Sequence, residues 1–65
     1  MNGATITALL ETSEGALTVV KDDMTNLYSI GLRTLSKLEW KDISEDLYLL
    51  LMQELKKQKG MRFPT

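Results

Sequence analysis

The chain has no cysteine and no histidine, one proline, and aromatic side chains at only 6% of its 65 positions. Without cysteine, disulfides and thiolate metal sites are excluded; without histidine as well, a zinc site of the finger type cannot be assembled. Absent cysteine also fits a reducing compartment. The missing imidazole removes the usual proton shuttle near neutral pH, so a nucleophile-and-base pair has little to be built from. Gly3, Gly15, Gly31 and Gly60 are isolated and form no phosphate-cradling loop. The acidic groups Asp22/Asp23 and Asp42/Glu45/Asp46 lack the alternating spacing and central glycine of a calcium loop. No catalytic, cofactor-binding or metal-ligating residue is therefore assigned, and neither an enzyme nor a small-molecule substrate is expected.

Long apolar runs are missing too. Leu47–Met52 is far short of the ~20 residues that a bilayer span needs, and charges bracket it. The N-terminus lacks a basic region followed by a continuous apolar stretch, which reads as a cytoplasmic protein with no membrane partner. The formal net charge is −1, so no whole-molecule field draws the chain to nucleic acid.

What is present is a single domain, 1–65, that at this size buries only about 60% of its unfolded surface and is marginal unless it associates. Its strongest local pattern lies near the C-terminus. Asp42 followed by Glu45 resembles a capping box, Glu45 and Asp46 suit the positive end of a helix dipole, Lys56, Lys57 and Lys59 suit the other end, and Gly60 is a stop signal. This predicts a helix over 43–59. Ile43, Leu47, Tyr48, Leu50, Leu51, Met52 and Leu55 would sweep an arc of roughly 200°, about twice the stripe that one neighbouring helix covers.

Upstream, a four-three spacing runs through Ile6, Leu10, Ser13, Leu17, Val20, Met24, Leu27, Gly31, Thr34 and Leu38, which predicts a long helical region over 5–38. Residues 4–21 also carry a competing pattern. Thr5, Ile6 and Thr7 alternate as a strand would, Thr12-Ser13-Glu14-Gly15 is turn chemistry, and Leu17-Thr18-Val19-Val20 is β-branched, so a β-hairpin or ribbon followed by two helices is the alternative. Trp40 would cap the corner between the helical arms. Met61–Thr65 is a tail beyond the stop glycine.

The fold expected is all-α: a helical hairpin of a long N-terminal helical region and a shorter C-terminal helix, dimerising into a four-helix bundle. Its shared core would be Leu17, Val20, Met24, Leu27, Leu35, Leu38, Ile43, Leu47, Leu50 and Leu51, with Tyr48, Met52 and Leu55 as a second apolar strip. The dimer or partner interface is thus assigned to Leu17, Val20, Met24, Leu27, Leu47, Tyr48, Leu51, Met52 and Leu55.

The function expected is that of a small non-enzymatic adaptor, chaperone-like or regulatory protein. It would bind itself as a homodimer and another protein through apolar helix faces. The alternative is a dimeric DNA-binding transcriptional regulator, and a third is a self-assembling structural subunit. Nucleic acid is not the expected partner, because the region before Met24 is net acidic and the second helix would begin on Asp42, Glu45 and Asp46, which repel phosphate.

Overall fold

The computed structural model describes residues 3–64. Four antiparallel strands, β1 (Ala4–Thr12), β2 (Gly15–Asp22), β3 (Leu27–Arg33) and β4 (Leu38–Ile43), form one sheet in the order β1-β2-β3-β4, followed by a helix, α1 (Glu45–Leu55). The all-α helical hairpin and its four-helix bundle are overturned. The β-hairpin of the alternative is present as β1 and β2, but two further strands and a single helix follow it rather than two helices.

The reason lies in the turns and the β-branched residues. At Thr12–Gly15 the Glu14 N–H donates to Thr12 Oγ1 at 3.2 Å, and the Thr12 hydroxyl donates to the Gly15 carbonyl at 3.3 Å. Asp22 and Asp23, read as a solvated helix face, begin a second turn. There the Met24 N–H donates to Asp22 Oδ1 at 3.0 Å, the Asn26 N–H donates to the Asp22 carbonyl at 2.8 Å, and Asn26 takes φ 57°. At the third reversal the Thr34 N–H donates to the Lys37 carbonyl at 2.8 Å. Each turn supplies partners that a continuous helix would have to forgo, and threonine, valine and isoleucine lose less in strands than in helices.

The C-terminal helix exists but is shorter than expected. Asp42 and Ile43 belong to β4, where they pair with Ser29 and Tyr28, so the cap passes to Ser44. Its Oγ accepts from the Leu47 N–H at 3.1 Å, with Glu45 and Asp46 in the first turn. The helix ends at Leu55, before the lysines, and Gly60 adopts φ +85° in the chain beyond it. Trp40, expected at a helical corner, lies in the middle of β4.

One sheet face carries α1. Ala8, Val19 and Leu55 form the buried centre, with Leu17, Tyr48, Leu51, Met52 and Met61 packed around it. A bulge in β1 between Ile6 and Ala8 turns Thr7 inward beside Ala8, where its hydroxyl meets the Val19 carbonyl at 3.3 Å and Met52 Sδ at 3.7 Å. The chain then returns past α1 to the outer edge of β1. Leu9 and Arg62 exchange two backbone hydrogen bonds of 2.8 Å, and the Arg62 guanidinium pairs with Glu11. The tail is thus docked at Met61 and Arg62, while Phe63 and Pro64 line a shallow recess with Leu9 and Arg62; Thr65 lies outside the described residues.

Candidate functional site

The cross-strand register assigns every strand residue to one of two faces. Leu10, Leu17, Val19, Tyr28, Ile30 and Ile43 lie on the helix side. On the other side Leu9, Thr18, Gly31 and Trp40 form one row across the sheet, flanked by Ile6, Val20, Ser29 and Asp42 on one side and by Glu11, Ala16, Arg33 and Leu38 on the other. No element packs over this second face among the described residues. Leu38 and Trp40 remain 55% and 54% exposed on it.

Trp40 is held by a specific partner. A Cβ built on Gly31 would fall 2.7 Å from two carbons of the indole ring, so the ring lies against the bare Gly31 backbone and hides it. Glycine is needed there to let the ring down onto the sheet, which leaves its outer side open to solvent. Charges surround this surface without a dominant sign. Arg33 and the Glu11-paired Arg62 stand against Asp22 and Asp42, and the Ser29 hydroxyl donates to Asp42 Oδ1 at 3.3 Å.

The residues assigned from sequence as an interface separate into three groups. Leu17, Tyr48, Leu51, Met52 and Leu55 come together, but as the core between α1 and the sheet, because Tyr48, Leu51, Met52 and Leu55 share one stripe of the helix. Val20 and Leu27 lie on the open sheet face. Met24 sits 75% exposed in the β2–β3 turn, and Leu47 is exposed on α1 with Leu49 and Leu50. The proposed division of the helix into a bundle seam and a second strip is therefore corrected: Leu51 and the Tyr48/Met52/Leu55 strip are one inward face. Of the expected bundle core, Leu35 is an exposed turn residue and Leu38 an open-face residue. The sequence reading missed Trp40 as a surface group. The alternation Leu38-Glu39-Trp40-Lys41, with apolar residues at every second position, carries that signal.

A second concavity, about 450 Å³, opens at the end of the sheet among Asn26, Leu27, Tyr28, Ile43, Ser44 and Glu45. The Tyr28, Ser44 and Glu45 side chains in its lining are engaged internally. The Tyr28 hydroxyl donates to Glu45 Oε2 at 3.2 Å, and the ring packs on Tyr48 with centroids 4.3 Å apart. Burial, then this hydrogen bond to the Glu45 carboxylate, raises the Tyr28 pKa above its ordinary 10.0. Among the described residues, no group of three acidic side chains is placed to hold a metal ion, and no helix is long and apolar enough to cross a membrane. No protein-family model, curated protein or solved structure matches the chain.

Proposed function

We propose that the chain is a small non-enzymatic regulatory or adaptor protein that binds another polypeptide through the open face of its sheet. One observation carries the reading: Leu38 and Trp40, each more than half exposed, stand on a near-neutral face with Ile6, Val20 and Leu27. Bound in this way, the chain would act by covering a partner's apolar segment, with Trp40 as the central anchor.

The second reading is a dimeric DNA-binding regulator. The architecture favours it over an adaptor built on helix faces, because antiparallel ribbons exist where the helical hairpin had none, and the Trp40 ring offers a stacking surface near Arg33. The carboxylates of Asp22 and Asp42 on the same face work against it, as phosphate would meet them.

Trp40 fluorescence distinguishes the two readings, since it is the only tryptophan. At fixed protein concentration, titration with random single-stranded and duplex DNA at low and moderate salt is expected to leave the emission unchanged. Quenching that weakens steeply with salt would overturn the polypeptide reading in favour of the nucleic-acid one.

A further inference from the structure

The two edges of the sheet are treated differently. In an antiparallel ladder, backbone groups point alternately toward and away from the neighbouring strand. At the β1 edge the outward groups of Leu9 are taken by Arg62 of the chain's own tail. At the β4 edge the hydrogen bond from Thr34 to Lys37 sets the alternation. Glu39 and Lys41 turn their backbone groups toward β3, and Leu38, Trp40 and Asp42 turn theirs outward, where no described residue meets them. β4 is unbulged, contains no proline and is exposed at every position but Ile43.

We propose that β4 pairs antiparallel with β4 of a second copy, joining two sheets into one of eight strands about a two-fold axis through Trp40. Backbone parity and charge together select this register. Outward groups must meet outward groups, so Leu38, Trp40 and Asp42 can face only one another's equivalents. With Trp40 opposite Trp40, Leu38 faces Asp42, and each Glu39 lies directly opposite Lys41 of the other copy. A shift of the pairing by two residues in one direction sets Glu39 against Glu39. The same shift in the other direction sets Lys41 against Lys41. The charged pairs fall at the closely spaced positions, where side chains on adjacent strands interact most strongly.

The contact is isologous and closes, so it uses up the free edge instead of propagating it. It also places two Trp40 rings side by side on the open face, doubling that surface. The pairing stands independently of what the open face binds.

The experiment is a charge swap followed by sedimentation over a concentration range. The wild-type chain is expected to pass from one chain to two with rising concentration and to stop there. Lys41→Glu or Glu39→Lys alone turns both symmetry-related pairs repulsive at once and should raise the dissociation constant roughly tenfold or more, with unchanged far-ultraviolet circular dichroism. The double variant Glu39→Lys/Lys41→Glu should recover wild-type association. Amide exchange gives a second readout: Trp40 N–H, bare in the single chain, becomes protected in the dimer. A single-chain mass at high micromolar concentration, single swaps that associate like wild type, or an unprotected Trp40 amide would each overturn the proposal.

Discussion

Gly15 begins β2 beside the end of β3, and a Cβ there would lie 2.0 Å from the Arg33 carbonyl oxygen. That obstacle is backbone, so it can yield only by parting β2 from β3. Gly15→Ala is therefore expected to cost about 1–3 kcal/mol, the range of an overpacked core, measured as a lower urea midpoint with an unchanged slope. At Gly31 the obstacle is the Trp40 ring instead, which can swing away. The same residue type thus guards a strand pair in one place and a side-chain perch in the other. From sequence, Gly15 was legible as a turn residue, but the approach of Arg33 was not, because the two meet only when the third strand is in register.

At the scale of the element, α1 shows what sequence patterning resolves and what it leaves open. Its existence, its acidic first turn and its apolar excess were legible from residues 43–60. Its inward direction was not, because a helix rich in leucine on several sides can present more than one stripe, and the sheet beneath it selects among them. Tyr48, Leu51, Met52 and Leu55 face that sheet, while Leu47, Leu49 and Leu50 remain about half exposed. Leu51→Asp and Met52→Asp are both expected to lower stability by more than 2 kcal/mol, through an uncompensated charge under the helix. Leu49→Asp should stay within about 0.5 kcal/mol, as exposed substitutions do. Thermal melts of the three variants check this; a stable Met52→Asp would return the helix to two separate strips. The strands were harder to read. Leu17, Val19 and Val20 place apolar residues on both faces of β2, which blurs the two-residue alternation and lets a four-three spacing pass through the same positions.

For the whole molecule, the decisive fact is how little is buried. Ala8 and Val19 are fully enclosed, and Tyr28 and Leu55 nearly so, for a chain of 65 residues. The tail is a substantial part of this small structure: Met61 packs against the core and Arg62 covers the β1 edge at Leu9. Removal of residues 60–65 is expected to lower the melting temperature by several degrees and to promote aggregation through the uncovered strand, seen as scattering at the transition. A truncated chain that melts as the full one does would show that the edge needs no cover. None of this was visible in the sequence, where Met61–Thr65 reads as an appendage, because pairing between Leu9 and Arg62 depends on the length and direction of everything between them.

The meander also sets an order of assembly. Each strand pairs with the one just before it in the chain, so the sheet can zip hairpin by hairpin without a long loop having to close. Two closures break that pattern, α1 folding back over β1 and β2 and Arg62 reaching Leu9. During synthesis β1 therefore emerges with one flank bare and keeps it so until Arg62 and its neighbours follow. The interval before those residues arrive is when this chain is most open to capture by a chaperone or by another nascent copy.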